Sequence, residues 1–232
     1  AGDIYEVRRL IEKYEMPVLG YTPEHNAYPY NYMIGSEAQR RDAVDYLKLS
    51  LEMAKEMGAE FVLTSPANGG YLATYDQLWS RLEKTIQELG DYAAKLEIKL
   101  VVEALTPYES NFFTRANDLV ELFRRVDNPY VVGMCDIVPP FVQHESIMAY
   151  FDKLGNKMDH MHIIDGENGS DTHMIPGEGN IPIKEMLYEM KRIGYDKTAT
   201  LELVTNYINE PRFYAKRAID NMRELMAEAG IV

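Results

Sequence analysis

Short apolar runs alternate along the chain with longer amphipathic stretches. The apolar runs are MPVLGY (16–21), EFVLTS (60–65), IKLVVEAL (98–105), YVVGMCDIV (130–138), HMHIID (160–165) and TATLELV (198–204). Most are rich in β-branched residues, flanked by turn formers and free of polar–apolar alternation. That pattern predicts parallel strands buried on both faces. Residues 36–58 carry Ala43, Val44, Leu47, Leu51 and Ala54 at close to a 3.6-residue period and stop at Gly58. This predicts an amphipathic helix closed by glycine. Residues 75–96, 116–126, 144–154, 183–193 and 211–229 read the same way, and a lone helix is predicted over 4–15, ahead of the first strand.

Strand followed by helix thus recurs six times. No Gly/Ser/Pro-rich linker interrupts it, so one α/β domain is expected over residues 1–232. Such units build either a doubly wound open sheet or a (β/α)8 TIM barrel. A barrel needs eight of them. On the barrel reading, which is the fold class expected here, the first two strands and the first helix are lacking from this chain.

Composition narrows the setting. Apolar residues make up 46% of the chain, and the longest apolar runs fall well short of the ~20 residues a membrane helix needs. No basic-then-apolar signal segment opens the chain. The single cysteine, Cys135, has no internal partner, which fits a reducing, cytoplasmic location. Net charge is −13 without a lysine or arginine cluster. That argues against nucleic acid as a partner, since such binding rests on neutralising phosphates.

Candidate chemistry gathers where strands end, the functional face of parallel α/β folds. Glu103 lies near the end of the third run, Asp136 in the fourth, His162 in the fifth and Glu202 in the sixth. Each is flanked by apolar residues, and buried charge needs compensation. A divalent cation supplies it economically. Two glutamates, one aspartate and one histidine form a mostly oxygen set, suited to Mn²⁺ first and also to Mg²⁺ or Co²⁺. The alternative, four separate polar residues each satisfied by a neighbour, stays open for any one of them and is weaker for the set.

Glu103 and Glu202 also suggest acid–base work on a small-molecule ketose. One carboxylate takes a proton from the carbon beside the carbonyl, a cation holding both oxygens stabilises the enediolate, and the other carboxylate returns a proton to the opposite face. The outcome is epimerisation. Proton return at the neighbouring carbon gives aldose–ketose isomerisation instead. A sugar-binding barrel without turnover is a third reading, from another class.

Three of the five histidines fall within residues 160–173. His160 shares a strand face with His162 one layer deeper, and is expected to be a buried structural residue. Asp171 and His173 precede the PGEG turn, where they contact substrate, bind a second ion, or simply order the turn. His25 and the loop carrying Tyr21, Tyr28, Tyr30 and Tyr32 either line a sugar pocket or pack. His144 is expected at the surface and Trp79 in helix packing, and Arg212 faces an anionic group or solvent.

These residues also form a recognisable series. Glu103 and Glu109 as E-x5-E, then Asp136, then His160-x-His162, PGEGNIP and LEL resemble the xylose-isomerase-like barrel superfamily of ketose 3-epimerases, sugar isomerases and AP endonucleases. Longer strings, GYTPEHNAYPYN (20–31), LTPYESN (105–111), YFDKLG (150–155), SDTHMIPGEG (170–179) and ELVTNYINEPR (202–212), resemble the fructoselysine 3-epimerases within it. The resemblance covers essentially the whole chain. It implies an isomerase that interconverts fructoselysine and psicoselysine at C3, with metal on Glu103, Asp136, His162 and Glu202. It implies Glu103 and Glu202 as the acid–base pair and Glu109, with Asp171, His173 and Tyr21 nearby, as substrate-facing. It also leaves a homo-oligomer open. Two positions depart from the wider superfamily: Pro139 and Asn168 stand where ketose 3-epimerases carry a histidine and an arginine. The loop SPANGG lacks the endonucleases' histidine, so Asp171-x-His173 is not expected to serve DNA repair.

Overall fold

The structure, a computed structural model, describes residues 3–167 and 169–231. Six parallel strands run in chain order, each paired with the next: β1 Gly20–Tyr21, β2 Phe61–Thr64, β3 Lys99–Val102, β4 Val131–Asp136, β5 Met158–Ile163 and β6 Thr198–Leu201. Among the described residues β1 and β6 are not paired with each other, so the sheet curves as an open part of a TIM barrel. The helices are α1 Ile4–Tyr14, α2 Glu37–Glu56, α3 Tyr75–Leu96, α4 Ala116–Arg125, α5 Val138–Val142, α6 Met148–Leu154, α7 Ile183–Ile193 and α8 Pro211–Glu228. None is long and apolar enough to cross a membrane among the described residues.

Strand periodicity sorts side chains onto two faces. Val62, Leu100, Val102, Val131, Cys135, Met161 and Ile163 join the large core beneath the helices. Their neighbours Phe61, Leu63, Val101, Val132 and Met134 form a smaller cluster on the other, inner face. Two residues on from Val101 and Met134 stand Glu103 and Asp136, so the same alternation aims both carboxylates inward. Helices α2 and α3 start at Ser36 and Thr74, each in a capping box with the glutamine three residues on, which satisfies first-turn N–H groups.

Three expectations are corrected. The run 16–21 yields a strand only at Gly20–Tyr21, and β6 stops at Leu201 with Ala199 and Thr200 exposed. Both are edge strands, covered on one side only, so burial on both faces fails there. The helix expected over 144–154 is shortened to α6, Met148–Leu154, and a separate helix, α5, precedes it within the end of the expected strand run and the loop beyond. Pro139 and Pro140 sit in the first turn of α5, where a missing N–H costs nothing, and His144 at φ 55° ends that segment. Asn168 lies outside the described residues.

Candidate active site

The four strand-end residues converge. Asp136 is the last residue of β4 and pairs in register with His162 on β5, while Glu103 and Glu202 directly follow β3 and β6. His162 Nδ1 lies 3.3 Å from Glu103 Oε1, 3.2 Å from Glu202 Oε2 and 3.9 Å from Asp136 Oδ2. Glu103, Asp136 and His162 are buried, and Glu202 is partly open to the cavity. His173 joins from the loop after β5: its Nε2 is 3.2 Å from Glu202 Oε2 and 3.6 Å from Asp136 Oδ2, and its Nδ1 is 3.6 Å from Asp171 Oδ1.

Burial and mutual repulsion set the charge states. Burial holds Glu103 above the usual carboxylate range against the pull of His162. Asp136 is pushed up to about 6 by burial, with Glu202 and Glu103 adding to it and His173 opposing. Burial alone would raise Glu202, but the close approach of the His162 and His173 imidazoles holds it far below the ordinary glutamate value. The carboxylates in turn outweigh desolvation at the imidazoles: Glu103 and Glu202 raise His162, while Asp136 and Glu202 raise His173 to about 11.

The donor set fits a divalent ion. Three carboxylates face one imidazole nitrogen, and His162 Nδ1, although shielded from solvent, has hydrogen-bond geometry to none of them. One ligand atom each from Glu103, Asp136 and His162 falls within a 4.8 Å group, as does one each from Asp136, His173 and Glu202. A nitrogen lone pair and converging carboxylate oxygens in a buried pocket are what a hard cation takes.

A cavity of about 270 Å³ opens over this cluster, walled by Glu103, Glu109, Asp136, His173 and Glu202 and, across from them, by Thr22, His25, Asn26 and Ser65. Glu109 accepts from the Thr106 N–H at 3.1 Å and from its hydroxyl at 2.8 Å. Asp171 Oδ2 lies 3.1 Å from the same hydroxyl, and the Tyr108 hydroxyl donates to the Gly169 carbonyl. The β3–α4 loop and the β5–α7 loop are therefore tied together beside the cavity. Burial raises Glu109, with Asp171 adding to it. A larger groove of about 1100 Å³ between α2 and α3 holds no such convergence of carboxylates and imidazoles.

Other residues fall into place. His160 is buried, with Nδ1 2.8 Å from Thr198 Oγ1, Nε2 3.0 Å from Thr200 Oγ1 and its ring against Phe61. Trp79 packs among Tyr75, Phe112 and Phe113. His144 and Arg212 are exposed. Tyr21 is half-buried against the core and is not part of the described cavity wall. His25 turns inward: its Nδ1 lies 2.7 Å from the Pro23 carbonyl and its Nε2 accepts from Ser65 N–H. Sequence reading gave no role to Asp165. Its carboxylate is buried and accepts the N–H groups of Gly166, Gly177 and Ile181, each at 2.9 Å, so it organises the PGEG turn. An aspartate closing an apolar strand eleven residues before a Pro-Gly turn was the available signal.

Comparison with known proteins agrees with this architecture. The model of the xylose isomerase-like TIM barrel family matches residues 1–225. Fructoselysine 3-epimerase of Shigella flexneri is 46% identical over 228 residues, 98% of this chain and 83% of that protein. The crystal structure of a D-tagatose 3-epimerase-like protein superposes with a TM-score of 0.82 at 21% identity, covering 98% of this chain and 83% of that one. An IolI protein with a bound zinc atom gives 0.76 at 18% identity, covering 96% and 81%. The chain belongs to the xylose isomerase-like TIM barrel family. It is an enzyme of the isomerase class, an epimerase.

Proposed function

We propose that the chain is a divalent-metal-dependent ketose 3-epimerase that interconverts fructoselysine and psicoselysine. The observation that carries this reading is the pair Glu103 and Glu202, which approach one imidazole nitrogen from β3 and β6, at 3.3 and 3.2 Å. The identity to fructoselysine 3-epimerase over nearly the whole chain supports the substrate.

In this reading Glu103, Asp136, His162 and Glu202 hold the ion, with Mn²⁺ preferred and Mg²⁺ or Co²⁺ as alternatives. Once bound, the ion supplies electrostatic stabilisation of the negative charge that builds on the ketose oxygens. The residues do the rest. The carboxylate facing one side of C3 removes its proton, and the carboxylate facing the other side delivers a proton to the same carbon, inverting it. The next epimer reverses the roles. Glu109, Asp171 and His173 orient the sugar, and the narrow cavity keeps bulk water from the intermediate. Tyr21 lies further back and acts only through packing.

Proton NMR of fructoselysine in D₂O with the Mn²⁺-loaded enzyme tests the reading. Deuterium entering at C3 with a second epimer appearing is the expected result. Deuterium at C1 with an aldose product would replace it by an aldose–ketose isomerase, and no exchange at any carbon would overturn it.

A further inference from the structure

His25 sits in the cavity wall that faces the carboxylates, yet its residue is only 3% exposed. Its two ring nitrogens meet partners of opposite kind. Nδ1 lies 2.7 Å from the Pro23 carbonyl, which can only accept, and Nε2 lies 3.0 Å from the Ser65 backbone nitrogen, which can only donate. Those partners assign a neutral imidazole with its proton on Nδ1. Burial favours the same neutral form and holds the pKa below 6.5. An imidazolium would set two N–H groups head to head at Ser65. No ring nitrogen is left over to touch a sugar or carry a proton.

The contact at Nε2 leads to Glu103. Thr64 ends β2 and brings its Oγ1 to 3.0 Å from the same nitrogen. Its carbonyl accepts the N–H of Glu103 at 3.0 Å. One residue therefore separates the imidazole from the backbone of Glu103. On the other side of the ring, Pro23 belongs to the loop after β1, whose Thr22, Glu24 and Asn26 line the cavity. Asn26 Oδ1 accepts from the Ser65 hydroxyl at 3.0 Å, and the Tyr32 ring stacks on His25 at 5.9 Å. β1 pairs with β2 over only two residues, so the strand ladder by itself holds this loop weakly.

We propose that His25 is a positioning residue for proton transfer: through Ser65 and Thr64 it sets where Glu103 stands relative to the loop wall across the cavity. This rests on the epimerase reading above and deepens it. A bound ketose spans that gap, so the imidazole spacer fixes how closely C3 approaches Glu103. A slip of about 1 Å between reacting groups costs on the order of a hundredfold in rate.

The test compares the wild-type enzyme with His25→Phe and His25→Gln, using Mn²⁺ and fructoselysine. Phenylalanine keeps a ring against Tyr32 and loses both hydrogen bonds. Glutamine loses the ring but brings an amide oxygen to the Ser65 N–H. At saturating Mn²⁺ and sugar, kcat should fall roughly ten- to a hundredfold in His25→Phe with KM little changed, and most of that loss should return in His25→Gln. Mn²⁺ titration should show affinity lowered roughly tenfold in His25→Phe and restored in His25→Gln. Nitrogen NMR of the metal-free wild type, labelled at histidine, should show His25 protonated on Nδ1 alone. A loss confined to KM, a glutamine variant no better than the phenylalanine one, or a proton on Nε2 overturns the assignment. Should His25→Phe fail to fold, Thr64→Val, which deletes only the hydroxyl beside Nε2, takes its place, with the same split expected and an unchanged kcat overturning it. Should the wild type exchange no proton at C3, the epimerase reading fails and the Mn²⁺ titration decides separately. Weaker binding in His25→Phe alone keeps the coupling to Glu103, and equal binding in all three proteins removes it.

Discussion

Asp136 and His162 are register partners on β4 and β5, with Oδ2 and Nδ1 3.9 Å apart. The ladder between these strands fixes that separation before any ligand binds. A pre-built donor set binds an ion without first ordering side chains, so the ion's free energy appears as stability. At a Mn²⁺ concentration a hundredfold above Kd the gain is about 2.7 kcal/mol, or roughly 5–10 °C in Tm for a chain of this size. Differential scanning calorimetry should show that rise in wild type, and His162→Ala should abolish it.

Glu202→Gln keeps the shape and a ligand oxygen but removes the base. Turnover of fructoselysine should fall about 10²–10⁴-fold while bound Mn²⁺ is retained on metal analysis. Full activity in that variant would remove Glu202 from the acid–base pair.

His160 makes a pH prediction. Burial, helped by the neighbouring His162, lowers its pKa to about 4. The unfolded chain, with histidine near 6.5, binds this proton more readily than the folded one. Stability from His160 is therefore complete above pH ~6.5 and is lost as pH falls toward ~4. Urea titrations between pH 7 and 4.5 should show wild type losing about 1–3 kcal/mol more than His160→Gln over that range. Parallel curves would refute the assignment.

Asp165 holds the turn that follows the catalytic loop. Asp165→Ala leaves the N–H groups of Gly166, Gly177 and Ile181 without their carboxylate, at a cost of about 3 kcal/mol. Gly179 is part of the same device: a Cβ there would stand 2.5 Å from both Asp165 Oδ1 and the Gly166 carbonyl oxygen. Gly179→Ala should lower stability and kcat/KM together, because His173 rides on the loop that shifts. Chemical denaturation and steady-state kinetics check both, and a neutral Gly179→Ala would contradict the packing.

Some of this was legible in the chain. Val101 and Glu103, Met134 and Asp136, and His160 and His162 are each two residues apart, and strand periodicity alone puts each pair on one face. That is why the convergence of Glu103, Asp136, His162 and Glu202 could be expected from spacing. The edge exposure of Ala199 and Thr200 could not, because local sequence does not say whether a strand has one neighbour or two. The break between α5 and α6 was hidden for a related reason. Pro139 and Pro140 read equally well as a strand end or as a first helical turn.

The sequence by itself determined the parallel strands, the amphipathic helices and the residue types at the strand ends, because hydrophobic period and turn chemistry are local properties. Only the tertiary structure decided that His173 reaches the Asp136–Glu202 pair, that Thr106 lies between Glu109 and Asp171, that His25 faces inward and that Asp165 clamps the Pro-Gly turn. Each of those relationships joins residues from different loops, or depends on which way a loop residue turns. Their distances are set by strand register and loop packing, which no local pattern encodes.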